Sequence, residues 1–292
     1  MQGIDVRGYL QRLEVDVSGA VSVEQLTLLH RAHVLRVPYT SLDIHLGRPT
    51  TVDPLESADR VVRTGRAGYC FHNNGAFAAL LTALGYDVRW HVAAVQRLAD
   101  SGPPGRVANH VGLTVHGLPT REAPDGVWVV DVGLGDALLD PVPLVPGAHR
   151  QGPLDLTLQP SSVAADGWRL QHDPLGSFAG VDFWPEPAGP ADFAESHRDL
   201  STSPTSGFVR VLVVARPTAR TTENLKACML RIVGPDREVT ETEVTRRTDW
   251  FDTVTDRLGL PLDDVSAPER DALWHRVHAS HQAWLRERDG QA

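Results

Sequence analysis

The sequence has 292 residues, a net charge of −9 and no cluster of Lys and Arg, which disfavours a nucleic-acid partner because phosphate binding needs concentrated positive charge. The two cysteines, Cys70 and Cys228, are too few for a disulfide framework or a cysteine-rich zinc site, and we expect no metal. No apolar run reaches the ~20 residues of a membrane helix, and the charged N-terminus lacks the apolar core of a signal peptide, so a cytoplasmic protein without membrane contact is expected.

The first 85 residues have the pattern of helices. The stretch VEQLTLLHRAHVLRV, at 23–37, spaces its apolar residues by three and four, and Pro38 ends that helix. SADRVVRTG, at 57–65, predicts a second helix. A third, CFHNNGAFAALLTALG, runs from Cys70 to a C-terminal stop at Gly85.

From 86 to 200 the pattern changes to strands and turns. VRWHVAAV, HVGLTVHG, GVWVVDVGLG, WRLQH and GSFAGVDFW are β-rich and bounded by turn residues. STSPTSGF, at 201–208, is interpreted as a connector. FVRVLVVARP and LKACMLRIVG then predict two strands, and helix dominates from about 241, ending in DALWHRVHASHQAWLRER. The order is helices, then a β unit, then a mixed α/β unit.

The segment that opens the third helix carries the strongest chemical signal. The stretch TGRAGYCFHNNGAF, at 64–77, leads through a glycine-containing turn to Cys70 at the start of the helix. Free N–H groups and the positive end of the helix dipole stabilise a thiolate at this position, and later an oxyanion. Cys70 is therefore predicted to be a nucleophile. An inert buried cysteine is the alternative, which an amphipathic helix alone would favour.

A cysteine nucleophile needs a base, and the base needs a residue that orients it. Of the 13 histidines, His110 is best placed, because it opens the strand HVGLTV after the flexible loop SGPPGRVAN. Asp131 lies in the nearly all-apolar stretch VWVVDVGLG, where a carboxylate must be paired or lie at the strand end. A histidine N–H is a natural partner, so His110 and Asp131 are predicted to act with Cys70. A strand histidine and a turn aspartate remain the alternatives.

Other chemical candidates are weaker. His30 and His33 have a metal-compatible spacing, but no further ligands form a set with them, which favours a helix surface. The three histidines between 275 and 281 recur every three residues, a pattern typical of a solvated helix face. Cys228 is interpreted as a small buried hydrophobe. There is no phosphate-binding GxxxxGK[ST] loop, no GxGxxG after a strand and no GxSxG elbow.

Five motifs in order resemble the arylamine N-acetyltransferase family, over roughly residues 5–210. RAGYCFHNN resembles the family's RGGxCxExN segment and carries Cys70. NHVGLTV resembles the segment of the family's histidine, here His110, and VVDVGLGD resembles DVGFGD, here with Asp131. VPYTSLDIHLG resembles the PFENLDI segment, and STSPTSGF a signature between the second and third domains.

The resemblance implies an α+β fold with a cysteine-protease-like core: an N-terminal helical bundle at 1–85, a central β-barrel domain at 86–200, and a connector with a C-terminal α/β lid at 201–292. It implies a ping-pong acyltransferase, in which the thiolate takes an acyl group from acyl-CoA, such as acetyl-CoA, and passes it to an arylamine or another amine. No cofactor is expected to be tightly bound, since the acyl thioester is a co-substrate.

The sequence departs from the family around the reaction centre. The glutamate after the nucleophile is replaced by His72, and Thr40 and Ser41 replace the glutamate and asparagine of the PFEN segment. In the family the glutamate of the PFEN segment, here Thr40, supports the arginine matching Arg66, which must therefore find another partner in this sequence. The aromatic residue of DVGFG is Leu134, which is expected to open the acceptor side of the pocket.

These departures indicate retained chemistry with an altered substrate. Arg66, Tyr69, Phe71, His72 and Leu134 are predicted to form the walls of the substrate pocket. The alternative function is an amide synthase that releases a polyketide chain from a carrier-protein thioester, with an acyl carrier protein as partner. A thiol hydrolase and a non-catalytic binding module are the remaining alternatives.

Overall fold

The computed structural model describes residues 3–289. Its α-helices are α1 Val6–Leu13, α2 Val23–Arg36, α3 Leu42–His45, α4 Pro54–Thr64, α5 Cys70–Ala83, α6 Ala194–Thr202, α7 Gly207–Arg210, α8 Arg247–Asp252 and α9 Ala267–Asp289. Its strands are β1 Tyr39–Thr40, β2 Asp87–Gln96, β3 His110–His116, β4 Trp128–Val130, β5 Val142–Pro143, β6 Gly147–Gln151, β7 Leu154–Pro160, β8 Trp168–Gln171, β9 Gly180–Ala188, β10 Val213–Ala215, β11 Thr222–Lys226, β12 Met229–Val233 and β13 Val239–Glu243. A 3-10 turn at Pro190–Phe193 precedes α6, and a π turn at Thr253–Arg257 follows α8.

Helix α5 lies at the centre of the N-terminal helices. It packs against α4 on one side and against β2 and β3 on the other, and all its residues from Cys70 to Ala78 are buried. A helix enclosed on all sides has no solvated face. Its polar residues His72, Asn73 and Asn74 are therefore buried as well, and Asn73 and Asn74 make their hydrogen bonds inside the protein.

The central strands form one antiparallel sheet in the order β5-β4-β3-β2-β9-β8-β7-β6. The sheet curls into a nearly closed barrel. Alternate side chains of its strands meet inside, where Val129, Leu156, Leu170, Val181 and Phe183 belong to one buried apolar cluster. This barrel positions His110 at the first residue of β3 and Asp131 immediately after β4.

A second antiparallel sheet, in the order β1-β10-β11-β12-β13, pairs one strand of the N-terminal region with four strands of the C-terminal region. Its first strand comes from the N-terminal region, and Thr40 pairs with Val214 of β10. The inner face of the sheet packs with α8 and α9 around Leu225, Trp250 and Leu273. The α+β fold class expected from the sequence is confirmed, while the domain boundaries near 85 and 200 stay a prediction.

Two predicted strands differ in the structure. FVRVLVVARP was expected to be continuous, but Ser206 caps the short helix α7 through Phe208 N–H, 3.2 Å from Oγ, and only β10 is extended. LKACMLRIVG forms parts of β11 and β12 joined by a tight turn, in which Ala227 has φ of 49°. Both errors have the same origin, since neither segment has a Gly or Pro before its last residue that would indicate a turn.

Among residues 3–289, no helix combines the length and the apolar character needed to cross a membrane.

Candidate active site

Cys70 is the first residue of α5, after a tightly held turn. Gly68 has φ of 138°, a backbone conformation that other residues rarely adopt, and its carbonyl accepts hydrogen bonds from Thr40 N–H, at 2.8 Å, and from Asn73 Nδ2, at 2.9 Å. No side chain caps the N-terminus of α5. No side-chain acceptor therefore occupies the N-terminal amides of the helix that begins at Cys70.

The loop after β4 lies directly against the nucleophile turn. A Cβ atom built on Gly133 would lie 2.9 Å from the carbonyl oxygen of Cys70, 3.0 Å from its Cα and 2.9 Å from Asn74 Nδ2. Real Cβ atoms rarely come this close to backbone, so only glycine fits. Glycine at position 133 thus allows the loop after β4 to pack directly against Cys70.

Asp131 is buried and its carboxylate is fully hydrogen-bonded. Oδ2 lies 2.7 Å from His110 Nε2, while Oδ1 accepts from Asn74 Nδ2 at 2.8 Å and from Gly133 N–H at 2.9 Å. Asn74 also bonds the backbone of Val111, in β3, and of Val132, in the loop after β4. One amide side chain of α5 therefore fixes the carboxylate, the strand that begins with His110 and the loop that carries Asp131.

His110 is 1% exposed, and its Nε2 is bound to Asp131. Nδ1 is therefore the ring nitrogen available to Cys70. Burial alone would lower the pKa of His110, but the charge and hydrogen bond of Asp131, together with the hydrogen bond and charge of Cys70, outweigh it and raise this pKa above its usual range. The sulfur of Cys70 also lies 3.8 Å from the carbonyl oxygen of Asn109, the residue before the histidine. The structure thus brings together the three residues predicted to act jointly.

His30 is a second support of Asp131 that the sequence did not reveal. Its Nδ1 lies 3.0 Å from the carbonyl of Leu139 and must donate, so Nε2 accepts the N–H of Asp131 at 3.1 Å. The pKa of His30 is lowered, mainly by burial, which agrees with a neutral ring. The prediction of a helix-surface histidine was wrong for His30, which is fully buried, because it satisfies a backbone group of the barrel.

His33 is buried too, which corrects the same prediction. Its Nδ1 lies 3.0 Å from Tyr9 Oη and its Nε2 lies 3.2 Å from Asn73 Oδ1. Asn73 in turn donates to the carbonyl of Gly68, so a series of hydrogen bonds connects α1 to the turn before Cys70. In the C-terminal helix His275 is exposed as predicted, whereas His281 is buried against Glu243, 2.6 Å away.

Arg66 forms an ion pair with a carboxylate from a distant part of the sequence. Its guanidinium makes two 2.7 Å hydrogen bonds to the carboxylate of Asp264, bonds the carbonyl of Pro261 at 3.1 Å, and lies 3.5 Å from Asp43. Arg66 is buried and is not among the residues that line the cavity shared by Cys70 and His110. Its prediction as a pocket wall was wrong, because the paired guanidinium holds the segment before α9 against the nucleophile turn.

Tyr69, Phe71 and His72 also lie behind the cavity rather than in its wall. Tyr69 Oη donates to His197 Nδ1 at 2.6 Å, since His197 Nε2 already donates to the carbonyl of Thr50 at 2.8 Å. Phe71 and His72 pack their rings against His197. The three were predicted as pocket walls, and the correction has one cause: α5 is enclosed on every side, so neighbours of Cys70 point into packing.

Cys70 and His110 open onto a cavity of about 440 Å³ between the barrel and the C-terminal sheet. Leu134 is the one predicted wall residue that lines it. Sequence reasoning missed the other principal walls, which come from several separate segments: Tyr39, Val95, Asn109, Phe178, Phe208 and Lys226. The lining is mostly apolar, which suits a hydrophobic acyl or aryl group.

A cysteine at a helix N-terminus, beside a buried His–Asp pair and at the wall of an apolar cavity, is an arrangement found in thiol enzymes that form covalent intermediates. A family model described as N-acetyltransferase matches residues 22–267 of this chain. The chain therefore belongs to the arylamine N-acetyltransferase family, as its motifs predicted, and is an acyltransferase.

Relatives and solved structures agree with this placement. The arylamine N-acetyltransferase of Mycobacterium tuberculosis is 29% identical over 94% of this chain and 95% of its own length. The proansamycin X synthase of Amycolatopsis mediterranei is 34% identical over 52% of this chain and 56% of its own length. The structure of the Mycobacterium marinum arylamine N-acetyltransferase superposes with a TM-score of 0.83 at 27% identity, covering 94% of this chain and 99% of that one, and it has also been solved in complex with CoA.

The close approach at Gly133 makes a direct prediction. Gly133→Ala should lower the free energy of unfolding by about 1–3 kcal/mol, the usual range for overpacking, and should lower acyl transfer as well. Gly102→Ala is the matched control, because a Cβ there meets nothing within 4 Å. Urea unfolding and turnover of both variants check this, and wild-type behaviour of Gly133→Ala would show that the loop can retreat without cost.

Proposed function

We propose that this protein is an N-acyltransferase that works by a ping-pong mechanism through an acyl-cysteine at Cys70. The observation that carries the proposal is the buried His110–Asp131 pair, 2.7 Å apart, beside a cysteine that begins helix α5 and lines a cavity. In this mechanism the donor is acyl-CoA, for instance acetyl-CoA, and the acceptor is an arylamine or another amine.

In the resting enzyme His110 holds a proton at neutral pH, because its pKa is raised above the usual range. A protonated imidazole beside Cys70 stabilises the thiolate, which is the reactive form of cysteine. The thiolate attacks the carbonyl carbon of the donor thioester, the new C–S bond forms, and the bond to the CoA sulfur breaks. His110 gives its proton to that leaving thiolate.

Acylation changes the electrostatics of His110. The thioester carries no charge, so the charge of Cys70 no longer raises the pKa of His110, and the ring, which has given its proton to the leaving thiolate, can accept another. Neutral His110 then accepts the proton of the attacking amine, the amide forms, and Cys70 leaves as a thiolate. The free backbone amides at the start of α5 are suitable donors to the oxyanion of each tetrahedral intermediate.

The choice of CoA as donor is supported by the Mycobacterium marinum relative, which has been solved with CoA. A second candidate is an amide synthase that takes an acyl chain from a carrier-protein thioester. The similarity to proansamycin X synthase favours it, and so does the cavity, which continues past Val95 and Arg97 into a groove of about 620 Å³ along residues 99–104. The donor distinguishes the two.

Intact mass spectrometry with a panel of acyl thioesters tests both functions. The purified protein is mixed with acetyl-CoA, with longer acyl-CoAs and with an acyl pantetheine thioester, without amine. We expect a gain of one acyl group that neutral hydroxylamine removes and that is absent in Cys70→Ser. Cys228→Ser is the matched control, because burial and Glu243 raise the pKa of Cys228 to about 12 and leave it inert.

The pattern of donors decides between the two candidates. Efficient loading by acetyl-CoA supports the acetyltransferase, whereas loading only by long acyl pantetheine supports the amide synthase. Loading that persists in Cys70→Ser would overturn the acyl-cysteine mechanism itself.

A further inference from the structure

The active-site cavity contains the only lysine of the sequence. Of the 28 Lys and Arg residues, 27 are arginines and the remaining one is Lys226, the last residue of β11. An arginine guanidinium stays protonated in proteins and is a poor nucleophile, whereas a lysine amine reacts with acyl groups once it loses its proton. Lys226 is thus the one side chain of this protein that resembles the amine acceptors of its family.

Strand alternation turns Lys226 toward the cavity. Leu225 and its cross-strand partner Val214 point into the core of the C-terminal sheet. The residues on either side of each must point the opposite way, because successive side chains alternate between the faces of a strand. Asn224 and Lys226 therefore share one face with Ala215 and Val213, their partners on β10, and all four line the cavity.

This wall lies close to the nucleophile. A Cβ on Gly135 would lie 3.4 Å from Cβ of Ala215, and one on Gly133 would lie 3.0 Å from Cα of Cys70. Two residues of a single loop thus bridge the β10–β11 wall and the start of α5. Lys226 lies two residues along β11 from Asn224, the partner of Ala215. Its side chain has a four-carbon stem and lines the same cavity as Cys70.

The amine of Lys226 is also free to react. Among the side chains of residues 3–288, no carboxylate lies within ion-pair distance of it, whereas the other cation of the cavity wall, Arg97, lies 2.7 Å from Asp100. Lys226 is exposed to solvent. An amine in the same cavity as a thioester gains from proximity, since an intramolecular attack avoids the entropy of bringing two molecules together.

We propose that Lys226 is an internal acyl acceptor, which the acyl-enzyme modifies when no external amine is present. The proposal rests on the acyl-cysteine described above. The neutral amine of Lys226 attacks the carbonyl carbon of the Cys70 thioester, an N–C bond forms and the C–S bond breaks. Cys70 leaves as a thiolate and the proton of the amine passes to neutral His110, so no further reactant is needed. The product is a stable amide at the cavity wall, without the positive charge.

The test is a time course with acetyl-CoA and no amine, followed by intact and peptide mass spectrometry. Neutral hydroxylamine separates the two adducts, because it cleaves the thioester and leaves the amide. We expect the hydroxylamine-resistant acetyl group to appear on Lys226 after the thioester, and to be lost completely in Lys226→Arg, which keeps the charge. It should be absent in Cys70→Ala as well, and excess aniline should suppress it by competing for the acyl group.

Each other outcome has a definite meaning. A thioester on Cys70 without any resistant adduct overturns the role of Lys226 and leaves the proposed function intact, and Lys226 then serves only as a cation. A resistant adduct on Lys226 in Cys70→Ala shows direct reaction with the donor and overturns the transfer from Cys70. The absence of the thioester itself contradicts the proposed function.

Discussion

Asp131→Asn is expected to lower kcat about 10⁴-fold while the protein still folds. The side-chain oxygen of asparagine can keep the bonds from Asn74 and Gly133, which hold the loop in place. The amide nitrogen then faces His110 Nε2 and donates to it, so the ring must carry its proton on Nδ1. That tautomer presents an N–H to Cys70, and the imidazole can no longer accept a proton there. Thermal unfolding and steady-state turnover of the variant check both parts.

Asp140→Asn is the control for this substitution. Asp140 follows the same loop and pairs with Arg31 at the surface, so its loss should change turnover little. Near-normal turnover of Asp131→Asn would remove Asp131 from the mechanism.

Asp264→Ala should produce the largest loss of stability, about 2–3 kcal/mol. The substitution leaves the buried guanidinium of Arg66 with Asp43, at 3.5 Å, and a carbonyl. The expected loss of unfolding free energy is smaller than for a fully buried ion pair, because the side chain of Asp264 is 35% exposed. The turn before Cys70 should loosen as well, so turnover falls together with stability. Urea unfolding measures the first effect, and Asp263→Ala, an exposed neighbour, is the control.

The effect of Asp264→Ala should depend on pH in a defined direction. Its hydrogen bonds and ion pairs with Arg66 and Arg48 outweigh partial burial and lower the pKa of Asp264 to about 2. A carboxyl group whose pKa is lower in the folded state stabilises the fold above its unfolded pKa, ~3.9, and loses this contribution as the pH falls through its folded value. The stability difference between wild type and Asp264→Ala should therefore shrink between about pH 4 and pH 2. A difference that stays constant over this range would show that lost packing, and not charge, is responsible.

The central residues could be predicted because their positions depend on local sequence. A glycine turn before a helix brings Cys70 to the helix N-terminus, and a strand start and a strand end locate His110 and Asp131. Motifs in a known order then connect the three segments. The α+β fold could be predicted for the same reason, since helices and strands occupy separate stretches of the chain.

The supporting residues could not be predicted because their partners are distant in sequence. Asp264 pairs with Arg66 across 198 positions, and His30 binds Asp131 across 101. A histidine at helical spacing gives no sign of whether it faces solvent or a barrel. Asn74 is the exception, because it is a polar residue within the motif that carries Cys70, four positions after the nucleophile on the same helix.

The walls of the pocket were misjudged for a related reason. Neighbours of a nucleophile in sequence were assumed to be its neighbours in the cavity, but on a fully enclosed helix they point in other directions. The wall is instead assembled from β1, β10, β11 and the barrel loops. These segments meet only because the two sheets pack together, and the sequence of one segment does not show how the sheets pack.

The most direct measurement is the transfer of an acyl group from isolated acyl-enzyme to an amine. The protein is loaded with labelled acetyl-CoA, freed of donor by rapid filtration and mixed with aniline in a quenched-flow instrument. If Cys70 carries the acyl group on the reaction path, labelled acetanilide appears at a rate at least equal to kcat as the label leaves Cys70. Release of the label as acetate, or amide formation that requires fresh acetyl-CoA, would contradict it.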